Sequence, residues 1–212
     1  MNIEYIKPSE IEKRSFEILT VELAARGAVL TGDTASVIKR CIHTTADFDY
    51  AETMRFSDGA VAAMKQLIRA GASIVTDTNM ALSGISKKEF GKYSGKLFCF
   101  MADADVAEEA KKKGVTRASV SMEKAMQLDT PVIFVIGNAP TALISLHEHL
   151  QAGTYTPAFI IGVPVGFVNV EAAKELIMGT DIPYIINAGR KGGSNVAAAI
   201  VNAVLYQMRE EN

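Results

Sequence analysis

Five short apolar runs follow residue 70, and each leads through a polar turn toward a helical segment. With their exits, the runs read ASIVTDTNM, LFCFMADAD, PVIFVIGNAPTA, AFIIGVPVGF and IPYIINAGRKGGSN. Short runs rich in valine and isoleucine that alternate with helices are typical of parallel strands buried on both faces. We therefore predict an α/β fold with a mostly parallel five-stranded sheet and helices on both faces.

The exits of these strands are polar, which indicates where a ligand binds. In open parallel sheets, ligands lie beyond the carboxyl ends of the strands, where the strand order reverses. Gly137, Gly162 and Gly189 stand at three of the exits, just ahead of helical segments. Glycine lets the backbone approach a ligand closely, and the free N–H groups of a helix start favour anions. We expect a binding site at this edge of the sheet.

Three helices are predicted ahead of the strands, and the third is DGAVAAMKQLIRAG, which Ser57 and Asp58 open and Gly71 closes. The segment from Pro8 to about Leu30 carries apolar residues at helical spacing, and Gly27 and Gly32 interrupt it. Asp33 or Thr34 is then expected to cap a second helix that runs into the stretch IKRCIHTTADFDY.

That stretch concentrates the titratable side chains of the predicted helix. Arg40 and His43 stand three residues apart and therefore share a helical face. Asp47 follows one turn later, where it is expected to orient the imidazole. The alternative is that His43 is a partly buried histidine with satisfied hydrogen bonds. His147 and His149 lie near a predicted helix C-terminus, where solvated histidines are ordinary.

Length and composition exclude several classes of protein. A chain of 212 residues suits a single domain spanning 1–212, and its net charge of -2 gives no general attraction for nucleic acid or anionic membranes. The apolar runs are too short to cross a membrane, and the first residues lack the pattern of a secretory signal. Cys41 and Cys99 are too few for a disulfide or metal framework, so a cytoplasmic location is expected.

The segment GRKGGSN, residues 189–195, has three interpretations. A phosphate-binding loop is disfavoured, because the spacing matches neither a Walker motif nor GxGxxG. A tight strand-to-helix turn is the second, with Ser194 or Asn195 as the N-cap of the last helix. In the third, Arg190 and Lys191 hold carboxylates together with the backbone amides.

Metal and serine chemistry receive little support. Asp77, Asp103 and Asp105 lie at strand ends, but their spacing matches no metal motif, so solvated loop carboxylates are the favoured interpretation. Ser83 and Ser194 lie in no GxSxG motif, which disfavours a serine nucleophile. The segments IGNAPTAL and GRKGGSN are also explained as simple strand-to-helix turns.

Taken together, seven segments resemble the precorrin-8X methylmutase family, which includes the cobalt-precorrin-8 methylmutases. In chain order they are KRSF at 13–16, RCIHTT at 40–45, IVTDTNM at 74–80, TRAS at 116–119, IGNAPTAL at 136–143, IGVPVGFV at 161–168 and GRKGGSNVAAA at 189–199. The match runs nearly end to end. It implies a flavodoxin-like three-layer fold, a homodimer, and an isomerase of cobalamin (corrin) biosynthesis that moves a methyl group from C-11 to C-12 of the macrocycle.

The resemblance also implies roles for individual residues. His43 matches the catalytic histidine of the family, and Ser15 and Arg40 match its substrate-binding residues. Arg117, in the TRAS segment, is a further candidate for binding a substrate carboxylate.

The implied reaction is an intramolecular shift, for which no cofactor and no protein-bound metal are expected. It requires a proton donor near the migrating system and groups that hold the carboxylate arms of a corrinoid tetrapyrrole. Met80, Val163, Val165 and Phe167 are candidates to line an apolar pocket for the macrocycle, with core packing as the alternative. Two competing functions remain: a nucleotide- or phosphosugar-binding α/β enzyme, and a tetrapyrrole carrier without catalysis.

Overall fold

Six strands form one sheet in the computed structural model, which describes residues 3–211. The strands are β1 (Met54–Phe56), β2 (Ser73–Thr76), β3 (Leu97–Phe98), β4 (Val132–Ile136), β5 (Phe159–Gly162) and β6 (Tyr184–Asn187). Their order across the sheet is β1-β6-β5-β4-β2-β3.

The five predicted strands are β2 to β6, and each is parallel to its neighbours among them. The prediction of a mostly parallel α/β sheet is confirmed, but the count of five was wrong. The additional strand, β1, pairs antiparallel with β6 at the edge of the sheet, with Arg55 opposite Ile186. Because β1 has three residues with an arginine in the middle, no apolar run marks it in the sequence.

Helices cover both faces of the sheet. They are α1 (Ile11–Ala25), α2 (Asp33–Thr45), α3 (Tyr50–Thr53), α4 (Ala60–Arg69), α5 (Asn79–Gly84), α6 (Lys87–Phe90), α7 (Ala104–Lys113), α8 (Arg117–Ala125), α9 (Pro140–Gln151), α10 (Val170–Met178) and α11 (Ser194–Glu210). No helix within residues 3–211 combines the length and apolar character needed to span a membrane.

Two cores fill the space between the sheet and its helices. Side chains alternate along β4, so that Ile133 and Val135 pack with α1, α2, α4, α5 and α11, whereas Phe134 and Ile136 pack with α8, α9 and α10. Burial on both faces explains why the parallel strands are continuously apolar. The predicted three-layer arrangement is therefore confirmed.

The helix boundaries differ in detail from the predictions. A short 3-10 turn at Pro8–Glu10 precedes α1, and the chain turns away after α1 through Gly27, which has φ 78°. Gly32, rather than Asp33 or Thr34, is the N-cap of α2, and no side chain caps that helix. Helix α1 covers residues 11–25 of the predicted segment from Pro8 to about Leu30, and α2 covers the second predicted helix.

Candidate active site

Helix α2 positions the two residues that the sequence marked for chemistry. Its apolar face, which includes Val37 and Cys41, is buried against the core. Arg40 and His43 lie at the border of that face, one helical turn apart. The predicted spacing on one helix is therefore confirmed.

His43 is exposed and stacks on an aromatic ring of the neighbouring helix α1. The rings of His43 and Phe16 have centroids 5.0 Å apart and are inclined by 16°. The alternative interpretation, a partly buried histidine with satisfied hydrogen bonds, is wrong, because the imidazole is accessible from solvent. An accessible imidazole can contact a ligand directly.

Asp47 does not orient His43, and the geometry of the helix end gives the reason. Helix α2 ends at Thr45, and Ala46 adopts a left-handed conformation with φ 54° that redirects the chain. The Asp47 Oδ2 atom accepts a hydrogen bond of 2.6 Å from Lys191 Nζ, and Oδ1 accepts one of 3.0 Å from the backbone N–H of Asp49. The hydrogen bond from Lys191 lowers the pKa of Asp47 below its usual value.

Arg40 is held in place by aromatic rings from two other helices. Its guanidinium carbon lies 4.8 Å from the ring centre of Phe16 on α1 and 4.9 Å from that of Tyr206 on α11. Arg40 Nη1 also donates a hydrogen bond to the Glu12 carboxylate. The contacts with both rings restrict the guanidinium, and its N–H groups can donate to a carboxylate.

A cleft of about 350 Å³ opens beside Arg40 and His43. Met80 at the start of α5, together with Asn195 and Tyr206 on α11, supplies other parts of its wall. Helices α5 and α11 follow β2 and β6 directly, so one end of the cleft lies at the carboxyl edge of the sheet, where a ligand site was predicted.

A larger cavity, of about 760 Å³, lies on the other side of Arg40. Its wall includes Glu12 and Phe16 of α1 and Arg209 near the end of α11. Because Arg40 lines both spaces, its guanidinium is accessible to groups that enter from either one.

Ser15 and Arg117 occupy different places from this pair. Ser15 is half-buried on α1, next in the chain to Phe16, and it lines neither cavity beside Arg40. Arg117 is exposed at the start of α8, on the opposite face of the sheet from α2. The adjacent Thr116 bonds through Oγ1 to Thr141 Oγ1 at the start of α9, so Arg117 still lies toward the carboxyl edge.

Asp77 directly follows β2 and lies at the carboxyl edge of the sheet between β2 and β4, where the strand order reverses. It is fully buried, and its carboxylate accepts hydrogen bonds from the backbone N–H groups of Gly137 (2.9 Å), Asn138 (2.8 Å) and Ala139 (2.7 Å). Burial raises the pKa of Asp77 despite these bonds. The interpretation of Asp77 as a solvated loop carboxylate is therefore wrong; it holds the IGNAPT turn.

The other two strand-end aspartates make surface ion pairs. Lys124 Nζ lies 2.8 Å from Asp103 Oδ2 and 2.5 Å from Asp105 Oδ2. Within residues 3–211, no group of three or more His, Cys, Asp or Glu side chains is arranged to hold a metal ion.

The GRKGGSN segment is a turn held by buried polar groups. Lys174 is fully buried, and its Nζ donates to the carbonyl oxygens of Gly189 (2.6 Å) and Lys191 (3.0 Å). Burial lowers the pKa of Lys174 to about 8. A side chain at Gly192 would place its Cβ 2.0 Å from the carbonyl oxygen of Val163, so this close approach requires glycine.

Three side chains of this segment, those of Arg190, Lys191 and Ser194, already have partners within the chain. Gly193, not Ser194 or Asn195, is the N-cap of α11, and the Ser194 hydroxyl instead bonds to Thr78 Oγ1 at 2.7 Å. Arg190 pairs with a glutamate at 2.7 Å, and Lys191 pairs with Asp47 and Asp49. The turn interpretation is correct, although the predicted cap was wrong.

Large apolar side chains are exposed at the strand exits. Among the four candidates for lining a macrocycle pocket, Met80, Val165 and Phe167 are exposed, with Phe167 reaching 82%. Val163 is fully buried and belongs to the core, so that assignment was wrong. Contiguous exposed apolar side chains are typical of binding surfaces.

Sequence reasoning missed three residues that shape the surroundings of Arg40, namely Glu12, Phe16 and Tyr206. Phe16 lies in the KRSF segment of the family resemblance, but no contact with Arg40 was predicted for it. Their grouping depends on how α1 and α11 pack against α2, and no local pattern in the sequence indicates it.

Comparison with known proteins agrees with this architecture. A family model described as precorrin-8X methylmutase matches residues 10–207. The cobalt-precorrin-8 methylmutase of Priestia megaterium is 40% identical over 199 residues, which are 94% of this chain and 88% of the relative. The precorrin-8X methylmutase of Pseudomonas aeruginosa is 38% identical over 205 residues, covering 95% and 97%.

A solved structure shares the fold. The crystal structure of the precorrin-8X methylmutase from Thermus thermophilus superposes with a TM-score of 0.86 at 35% sequence identity, covering 96% of this chain and 97% of the other. Likeness over nearly the whole length of both chains identifies this protein as an isomerase of the methyl-shifting class. The chain belongs to the precorrin-8X methylmutase family, whose members act in cobalamin biosynthesis.

Proposed function

We propose that this chain moves a methyl group from C-11 to C-12 of precorrin-8X or cobalt-precorrin-8, giving hydrogenobyrinate or cobyrinate, with His43 as the catalytic group. One observation carries the proposal beyond family membership: His43 is exposed at a cleft beside a pre-positioned arginine. We propose that the chain acts as one domain. We also propose that it is located in the cytoplasm, because its two cysteines are free, as is usual in a reducing compartment.

The reaction is balanced within the substrate itself. The bond between the methyl group and C-11 breaks, the bond to C-12 forms, and the ring double bonds rearrange. His43 donates a proton to the macrocycle as charge builds up and takes a proton back at the end, so the enzyme is unchanged after turnover. A histidine suits both steps, because it donates and accepts protons near neutral pH.

Recognition of the substrate rests on its acetate and propionate arms. Arg40 offers a stacked guanidinium that can bind a carboxylate in a bidentate manner. Ser15 and Arg117 are proposed as further contacts, Ser15 from α1 and Arg117 from the other face of the sheet. The exposed side chains of Met80, Val165 and Phe167 offer an apolar surface for the ring.

The direct test is anaerobic incubation of the purified protein with cobalt-precorrin-8, followed by visible spectroscopy. Conversion of the chromophore to that of the methyl-shifted product supports the proposal. A spectral change that saturates at one equivalent of protein without turnover contradicts it and supports a carrier instead. Failure to bind the tetrapyrrole at all leaves the nucleotide- or phosphosugar-binding alternative.

We expect Arg40→Ala to weaken substrate binding by about 1.5 to 3 kcal/mol, the contribution of a hydrogen bond that involves a charged group. Titration of the tetrapyrrole by absorbance measures this change. Lys111→Ala provides the control, since Lys111 is an exposed lysine of α7 on another part of the surface. Equal effects of the two substitutions would show that general charge, not a specific clamp, drives binding.

We further propose that the protein is a homodimer. A macrocycle with several carboxylate arms is larger than the drug-sized ligands that a cleft of about 350 Å³ usually holds. The exposed part of α1 includes Ile11, Ile18 and Val21, and a second copy of the chain would cover such apolar surface.

Sedimentation velocity at micromolar concentration is expected to give a dimer. A charge on α1, introduced by Val21→Glu, should weaken this dimer if α1 lies in the interface, because a buried unpaired charge is costly. A monomer in the parental protein at that concentration would overturn the proposal.

A further inference from the structure

Glu12 of α1 occupies the point where the positive charges of the candidate site converge. Its carboxylate accepts the hydrogen bond from Arg40 Nη1 described above. This bond is the main cause that lowers the pKa of Glu12, with smaller contributions from the charges of Arg40, His43 and Arg209. Three positively charged or protonatable side chains therefore act on one carboxylate.

The two arginines around Glu12 also share an aromatic ring. The guanidinium carbons of Arg40 and Arg209 lie 4.9 Å and 5.0 Å from the ring centre of Tyr206. Two cations close to one ring create a positive field that attracts an anion. Glu12, bonded to Arg40, is a carboxylate in that field.

Glu12 and Arg40, which form an ion pair, differ in how firmly their side chains are held. The side chain of Glu12 is 61% exposed, whereas that of Arg40 is 20% exposed and stacked between two rings. An exposed ion pair contributes little stability. Glu12 can therefore rotate into solvent at small cost while the guanidinium of Arg40 keeps its position.

We propose that Glu12 holds Arg40 in the free protein and competes for it with a carboxylate of the substrate, which displaces Glu12 on binding. The inference rests on the proposed role of Arg40 as a substrate clamp. A free monocarboxylate must compete with a tethered carboxylate at high effective concentration. Displacing Glu12 costs every ligand that binds Arg40 the same free energy, so a polycarboxylate binds tightly because its other arms bind elsewhere.

Two variants with the same change in net charge test this proposal. Glu12→Gln removes the competing charge, and Glu22→Gln changes an exposed glutamate of the same helix that lines neither cavity beside Arg40. The first probe is uroporphyrin, a tetrapyrrole with eight carboxylates, titrated by absorbance. The second is propionate, measured by its ability to displace uroporphyrin.

For Glu12→Gln we expect uroporphyrin to bind about two- to fivefold more tightly, the change that follows when an exposed ion pair no longer competes. The inhibition constant of propionate, corrected for the affinity of uroporphyrin, should fall by the same two- to fivefold factor, because both ligands compete with Glu12 for Arg40. Glu22→Gln should match the parental protein in both measurements. Equal or weaker uroporphyrin binding by Glu12→Gln, at an unchanged melting temperature, would overturn the proposal.

Turnover separates this inference from the proposed function. If the parental protein converts cobalt-precorrin-8, Glu12→Gln should lower KM about two- to fivefold and leave kcat unchanged. A fall in kcat would instead place Glu12 in the chemical step and contradict its role as a competitor for Arg40. If the parental protein does not convert the substrate, the proposed function fails, and the titrations with uroporphyrin and propionate still decide the role of Glu12.

Discussion

His43→Ala is expected to lower the turnover number about 10²- to 10⁴-fold, the contribution that a general acid–base group typically makes. Arg40 and the exposed apolar side chains remain in the variant, so the tetrapyrrole should still bind. Single-turnover rates and an absorbance titration measure the two quantities separately. A loss confined to the rate identifies His43 as a catalytic residue and not as a binding residue.

The variant should also fold normally. His43 is exposed, and its ring stacks on that of Phe16. The expected loss of unfolding free energy is therefore about 1 kcal/mol or less. His147→Ala and His149→Ala are the matched controls, because both lie on α9, on the opposite face of the sheet, and should leave turnover unchanged. Parental turnover by His43→Ala would refute the proposed mechanism.

Four of the five predicted strands share one physical property. Strands β2, β4, β5 and β6 have buried residues facing both cores, and this environment requires the continuous apolar runs visible in the sequence. Strand β1 lies at the edge of the sheet and contains the exposed Arg55. A short edge strand needs no such run, so the apolar pattern could not reveal it.

The candidate site was predictable only as far as it is local. The spacing of Arg40 and His43 predicts that they share a face of α2, and the structure agrees. Asp47 was misassigned because a single left-handed residue, Ala46, ends the helical geometry on which that prediction relied. The contacts of Arg40 with Glu12 and Tyr206 depend on the packing of three helices, which no helical or strand periodicity encodes.

Burial explains why the predictions for two other residues were wrong. Asp77 and Val163 both lie at strand exits, where polar and exposed side chains were expected. The loops after β4 and β6 cover this part of the edge, so Asp77 and Val163 are enclosed. The cover comes from tertiary packing between loops distant in sequence, which is why the exits alone did not predict it.

Asp77→Ala is expected to lower the free energy of unfolding by about 3 kcal/mol or more. The substitution removes the acceptor of three backbone N–H groups of the IGNAPT turn, of which that of Gly137 is buried and those of Asn138 and Ala139 are partly buried. A buried donor left unsatisfied costs about 1 to 3 kcal/mol, and the two partly buried bonds add to the loss. Part of this loss is offset, because the alanine variant no longer buries a charged carboxylate. Burial disfavours that charge, as the raised pKa of Asp77 indicates. Urea unfolding at neutral pH measures the net change.

Two further variants make this prediction specific. Asp77→Asn keeps the shape and one acceptor oxygen but turns an amide N–H₂ group toward a backbone donor, so its stability should lie below that of the parental protein. Asp105→Ala removes a carboxylate from a surface pair with Lys124 and should change stability by about 1 kcal/mol or less. If Asp77→Ala were as stable as Asp105→Ala, Asp77 would not hold the turn. The close contacts of glycines, such as that between Gly137 and Ser194, would then hold the strand-exit loops in place, and the buried carboxylate would not.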